Sequence, residues 1–265
     1  MNIGTKSSND SVREKLLEYG SFENIYKSLN PDVLSVGDSI RSIKGIEKVI
    51  STLDKVDFDF DVLTVNDSNF PESMKKEGNS PVIYTRGDKS LLNRENIAVV
   101  GTRHIYPNKD RAAYGEAFNV LKRLLEKDYV IVSGLAKGCD TLAHTKAVEA
   151  GKSTIAVLGT PLNQYYPSSN KKLQEIIAKE HLLVSQYPIG IRTFSSYFAH
   201  RNLTTVSLST EGIVVIKASD KSGTQHAIKS CAEQDKPIYV LANNFLKNHN
   251  WLENYKENIK RINKK

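Results

Sequence analysis

The chain has 265 residues, 39% of them hydrophobic, a net charge of +7 and two cysteines. That length suits one large α/β domain with a small additional module, and no apolar run approaches the roughly 20 residues that cross a bilayer. Cys139 and Cys231 stand far apart and outside any CxxC pattern, which excludes a disulfide framework and a zinc site.

The N-terminus, MNIGTKSSNDSVREK, has no apolar stretch behind its charges, so no secretory signal is read and the cytoplasm is the expected address. Residues 11–53 read as short helices: VREKLLEYG, FENIYKSL and SIRSIKGIEKVISTL. Val12, Leu16 and Leu17 fall at i, i+4, i+5 on one helical face, and Gly20 followed by Ser21 reads as a stop and a new N-cap. Ser42-Ile43-Lys44-Gly45-Ile46 resembles a degenerate helix-hairpin-helix turn. An ordinary helical-bundle turn is the preferred reading, and the acidic stretch at 54–61 that follows argues further against phosphate binding by this module. Residues 1–61 are thus expected to form a helical module of the SAM or helix-hairpin-helix kind.

Residues 62–95 read as a connector with extended pieces, VLTV and PVIYTRG, and turns near Pro71, Gly78 and Pro81. From residue 96 continuous apolar runs appear: IAVV at 97–100, YVIVS at 129–133, TIAVL at 154–158, LLV at 182–184, IVVI at 213–216 and IYVL at 238–241. Helix-compatible segments separate most of them, including 111–126 and 141–149. This alternation predicts a mainly parallel sheet covered on both faces, a doubly wound Rossmann-like domain over 62–244 with its extended lead-in. The basic tail, 245–265, reads as a final helix.

The charge is unevenly spread. Residues 1–94 carry 13 Lys/Arg against 15 Asp/Glu, residues 95–244 carry 18 against 13, and the tail carries 6 against 2. The positive surplus belongs to the central domain and tail, as an anionic partner requires. Taken alone, such a balance is most often a solvated lysine-rich surface.

In doubly wound sheets ligands bind beyond the carboxyl ends of the strands. There the chain places Gly101-Thr102-Arg103, then Ser133-Gly134-Leu135-Ala136-Lys137-Gly138, then Gly159-Thr160-Pro161. Phe198-Ala199-His200-Arg201-Asn202 precedes the fifth run, and Lys217 with Lys221-Ser222-Gly223-Thr224 follows it. Small, hydroxylated and basic residues recurring on one edge are what phosphates require. Neither GxGxxG nor GxxxxGK[ST] occurs, so the dinucleotide and P-loop readings lose their main support and no cofactor is expected, although a nucleotide can bind without either motif.

Asp140 and His144, at i and i+4, could form an acid–base pair, but an Asp that caps the helix and a His that packs are the commoner reading. Cys139 reads as a small core residue. Tyr165 and Tyr166 offer faces for base stacking, and at least one of them is expected to pack against its own loop.

Six segments, in order, carry a resemblance: IAVVGTR, VIVSGLAKGCDTLAH, GTPLNQYYPSSNKKL, SQYPIG, FAHRN and SGT. Together with Phe70-Pro71, Pro81 and Tyr84-Thr85-Arg86-Gly87 upstream, they resemble the DprA/Smf family over nearly the whole chain to about residue 242. The resemblance implies a homodimer, without catalysis, that binds single-stranded DNA in a basic pocket and presents it to a RecA-type recombinase, usually in natural transformation. It implies pocket roles for Gly101, Thr102 and Arg103, for Ser133, Gly134 and Lys137, for Tyr166, Asn170 and Lys171, and for Arg201 and Asn202. The chain departs from the family at Ser168, Leu203, Gln225-His226-Ala227 and the VLANN segment, and no C-terminal winged-helix-like domain is read. Helices in 223–234 would form the dimer contact, although Ala227, Ile228 and Cys231 there suit packing on the sheet. A defence or other DNA-handling role fits as well as transformation.

The alternative is a nucleotide-binding enzyme or sensor related to phosphoribohydrolases. Those enzymes show PGGxGT with a catalytic Glu shortly after; SDKSGTQHAIKSCAEQ lacks the PGG, and its first later carboxylate is Glu233.

Overall fold

The computed structural model describes residues 51–262 together with Glu14, residues 16–18 and Gly20. Its described strands are β1 (Asp61–Thr64), β2 (Val82–Gly87), β3 (Asn96–Val100), β4 (Val130–Ser133), β5 (Thr154–Leu158), β6 (Leu182–Ser185), β7 (Ile213–Val215), β8 (Ile238–Leu241) and β9 (Ile259–Ile262). They form one sheet in the order β1-β2-β6-β5-β4-β3-β7-β8-β9. From β6 to β9 every neighbouring pair is parallel, whereas β1–β2 and β2–β6 are antiparallel. The α-helices between residues 61 and 262 are α1 (Arg111–Glu126), α2 (Cys139–Glu149), α3 (Lys171–Glu180), α4 (Tyr197–Leu208), α5 (Thr224–Glu233) and α6 (Asn250–Asn254). This is the mainly parallel, Rossmann-like arrangement that the strand–helix alternation predicts. Among the described residues no helix is long and apolar enough to cross a membrane.

The apolar strands are buried on both faces because their side chains alternate between two helical layers. Ala98, Val100, Val132 and Val157 join Val206 of α4 and Ala227, Ile228 and Cys231 of α5 in one core. Ile97, Val99 and Ile131 join Ala113, Ala117 and Leu121 of α1 and Ala143 of α2 in another. Each fully buried Val or Ile contributes about 1.5–3 kcal/mol relative to exposure. In α1 the buried residues Ala113, Ala117, Val120, Leu121 and Leu125 make one stripe, and Asp110 caps the helix by accepting the Ala113 N–H at 3.3 Å.

Two stretches differ from the sequence reading. The lead-in is part of the sheet: β1 and β2 extend it antiparallel beside β6. The tail carries the short helix α6, anchored by buried Trp251, and then the edge strand β9, paired parallel with β8. Ile259 and Ile262, three residues apart, reach opposite faces of the sheet, a strand period that Lys and Asn around them obscure.

In the N-terminal module Leu16 is fully buried in the core while Leu17 is 63% exposed, so the two do not share a buried face. The Asn66 amide donates to the Leu16 and Gly20 carbonyls at 2.8 and 2.9 Å. Val12, Ser21, the remaining expected helices and the Ser42–Ile46 turn lie outside the described residues.

The chain runs outward from β3 through β4, β5 and β6, then crosses to β7 on the other side of β3. The carboxyl ends of β3 and β7 therefore diverge at a topological switch point, the place where such sheets hold ligands.

Candidate nucleic-acid interface

At that switch point lies a cavity of about 510 Å³. Gly101, Thr102, Arg103 and His104 after β3 form one wall, Ser222, Gly223 and Thr224 after β7 another, and Phe198, Arg201 and Asn202 of α4 a third. The β3 loop is held to the β7 loop by the Thr102 N–H, which donates to the Lys217 carbonyl at 2.8 Å. It is held to α2 by the Cys139 N–H, which donates to the Thr102 carbonyl at 3.1 Å. Gly138, at φ +78°, makes this approach: a Cβ there would sit 2.5 Å from the Thr102 oxygen, and its conformation disfavours any other residue.

Two arginines that the sequence places together play different parts. Arg103 is exposed on the cavity rim. Arg201 is 4% exposed, and its guanidinium donates to the Gly134 carbonyl and, at 2.6 Å, to the Val157 carbonyl. Arg201 thereby ties the carboxyl ends of β4 and β5 to α4. Burial draws it below the ordinary arginine range while neighbouring Asp140 counteracts. Asp140, itself buried and shifted up by that burial, accepts the Ala136 N–H at 3.2 Å. Asn202 donates to the Gly223 carbonyl at 3.3 Å, joining α4 to the β7 loop.

Gly101, Thr102, Arg103, Gly134, Arg201 and Asn202 meet at the cavity. Ser133 does not present its hydroxyl there: it is fully buried and donates to the Val99 carbonyl of the neighbouring strand β3 at 2.6 Å. Asn170 is buried too, its amide donating to the Leu135 carbonyl and the Thr141 hydroxyl at 2.9 and 2.8 Å. Its amide steadies the 134–138 loop from behind. Lys137 is exposed and borders a separate depression of about 390 Å³ on the far side of Gly138. Lys217, after β7, is paired with Asp110.

Of the two tyrosines, Tyr165 packs locally: its hydroxyl donates to Glu175 at 2.6 Å, and Lys171 lies 4.7 Å above its ring. Glu175 in turn receives both terminal nitrogens of Arg86, and its carboxyl is held below the usual range by Arg86 and Tyr165 against the cost of burial. Tyr166 is 52% exposed with its ring 4.6 Å from that of Phe198. Phe198 lines the cavity, and a Cβ on Gly159 would meet its ring at 2.5 Å. Sequence reasoning passed over Phe198 as a site residue, although its i, i+3, i+4 spacing with Arg201 and Asn202 sets all three on one face of α4. Of the departures, His226 is an exposed cavity residue, Ala227 is buried, Ser168 is exposed and Leu203 half-buried.

Of the residues weighed for chemistry, Asp140 lines the cavity but is held by the Ala136 N–H beside Arg201, and the others are engaged elsewhere. His144 is buried, its Nδ1 2.7 Å from the Thr154 hydroxyl, and burial pulls its pKa to about 3. Cys139 is buried and burial pushes its thiol up, away from thiolate character. Glu233 ends α5, opposite the cavity-lining Thr224, and reaches Lys229 at 3.7 Å. Among the described residues no three His, Cys, Asp or Glu side chains converge to hold a metal.

The sequence profile of the DNA recombination-mediator protein A family matches residues 61–259. The chain belongs to that family. DNA processing protein DprA of Streptococcus pneumoniae is 33% identical over 188 residues, covering 71% of this chain and 64% of the relative. Protein Smf of Synechocystis is 34% identical over 188 residues, covering 68% and 46%. This chain thus spans less than two thirds of these relatives. The crystal structure of the Streptococcus pneumoniae protein superimposes with a TM-score of 0.73 at 28% identity, over 97% of this chain and 95% of that one. A Helicobacter pylori DNA processing protein A structure, described for its single-stranded DNA binding mode, superimposes with a TM-score of 0.67 at 26% identity, over 78% and 92%.

Proposed function

We propose that this protein binds single-stranded DNA at the switch-point cavity, performs no chemistry on it, and as a homodimer presents it to a RecA-type recombinase. The observation that carries the reading is the exposed Arg103 above a floor whose charges are already answered. Arg201 is spent on main-chain carbonyls near Asp140, and Lys217 on Asp110, so of the two arginines that line the cavity Arg103 is the one exposed to a phosphate. A guanidinium holds a phosphate through two parallel N–H bonds. The neighbouring Phe198–Tyr166 pair offers aromatic surface to bases, and stacking accepts any base, so little sequence preference follows. The Helicobacter pylori relative supports the choice of single strands.

The alternative of a nucleotide hydrolase has no comparable support, since Glu233 stands at the wrong end of its helix. Dimerisation and the recombinase partner rest on the family. Ala227, Ile228 and Cys231 are buried on the sheet and so offer no dimer contact. Light scattering at micromolar concentration tests the dimer; a strict monomer, free and DNA-bound, contradicts it.

The binding reading is tested by fluorescence anisotropy with Arg103→Ala beside Lys122→Ala, a surface lysine on α1. Loss of a charged hydrogen bond of about 1.5–3 kcal/mol weakens binding by roughly 10- to 150-fold for Arg103 alone. Equal affinity of two folded variants would refute it.

A further inference from the structure

We infer that the single strand does not end at the cavity but crosses a ridge beside Arg103 into a second subsite, the groove holding Tyr106 and Lys137. This rests on the cavity being the first DNA subsite. The groove, about 390 Å³, runs between the segment after Ile105 and the start of α2. Its boundary with the cavity is thin: Gly138 borders the groove, and its Cα approaches so closely to Thr102 and Arg103 that no Cβ fits between them. Arg103 borders the cavity, and its carbonyl accepts the Tyr106 hydroxyl at 3.4 Å. One exposed arginine therefore stands where the two depressions meet.

The chemistry of the groove matches that of a single strand. Tyr106 lines the groove and is 38% exposed. The Lys109 ammonium lies 5.9 Å from its ring centre, and Lys137 is exposed on the opposite wall. The one carboxylate in the lining, Glu149, is answered by Lys146 at 2.5 Å. Two cations beside an aromatic platform form the arrangement that tracks phosphates and stacks bases without reading them. Asn170 and Ser169 close the far wall, but the Asn170 amide is committed to Leu135 and Thr141, so it shapes the groove without contacting a ligand. Continuity with the cavity favours nucleic acid over an acidic peptide, since a strand already held by Arg103 enters the groove without a second association step.

The test compares oligothymidylates of about six and about twenty residues, bracketing a one-subsite and a two-subsite footprint. Tyr106→Leu is expected to weaken the long oligomer roughly 10-fold, the size of one lost base stack, and to leave the short one unchanged. Tyr106→Phe, which keeps the ring and drops the hydrogen bond to the Arg103 carbonyl, should bind both like the parent. Lys137→Ala should reduce the salt slope for the long oligomer by about 0.7 and not for the short. Equal losses on both lengths, or none on either, overturn the groove and leave the cavity standing. Failure of the parent protein to bind either length overturns the cavity reading itself.

Discussion

Replacing Arg201 with leucine removes the donor to the Gly134 and Val157 carbonyls at the core of the strand-end layer. Leucine fills part of the space but donates nothing, and each buried carbonyl left without a partner costs about 1–3 kcal/mol. Asp140 also loses the cation that counteracts its burial. That carboxyl can take up a proton, which limits the added cost, so a total of about 3–5 kcal/mol is expected, the range for one-sided disruption of buried charges. Arg103→Ala removes an exposed side chain and should stay within about 0.5 kcal/mol of the parent. Urea unfolding at constant slope separates the two, and for a chain of this size the Arg201 variant should melt about 6–20 °C lower. An Arg201→Leu protein within about 1 kcal/mol of the parent, but unable to bind DNA, would refute the division of labour and make Arg201 a ligand.

Three further outcomes are expected. Gly134→Ala places a Cβ 2.1 Å from an Arg201 guanidinium nitrogen, so it should destabilise by about 1–3 kcal/mol, and a double-mutant cycle should show most of that cost vanishing in Arg201→Leu; additive losses contradict the contact. His144 is neutral in the fold with its pKa near 3, against about 6.5 unfolded. Above pH 6.5 it contributes no pH dependence; as pH falls below that, the unfolded chain takes up a proton the fold refuses, and stability drops by up to about 1.4 kcal/mol per unit. His144→Gln should flatten that slope between about pH 6 and 4, and an unchanged acid profile would exclude His144 as its source. Finally, AMP and ATP should remain intact on incubation; release of adenine or ribose phosphate, lost on substituting Glu233 or Asp140, would promote the enzymatic alternative.

The central fold was legible because its strands are apolar on both faces. TIAVL and IYVL coincide with β5 and β8, and the helix-compatible segment 111–126 coincides with α1. β1 and β2 were legible as extended pieces but not as members of the sheet, since β2 joins it by antiparallel pairing with β6, about a hundred positions away, and β1 is attached through β2. β9 was hidden because IKRI leaves two of its four side chains exposed at an edge. Motif order names Arg103, Gly134 and Arg201, which line one cavity in the fold, yet it could not tell a side chain that faces the cavity from one that faces the scaffold. Ser133 and Asn170 are buried where Thr102 is half-exposed, and their polar atoms are taken by the Val99 and Leu135 carbonyls, which belong to other segments of the chain.

The most direct measurement of the central claim is a salt titration of affinity for an unstructured single strand and for a duplex of the same length. Neutralising a handful of phosphates at about 0.7 each gives a slope of log K against log salt of roughly −2 to −4 on the single strand, with weaker binding to the duplex. Equal affinity for the two, or a slope near zero, would contradict the account.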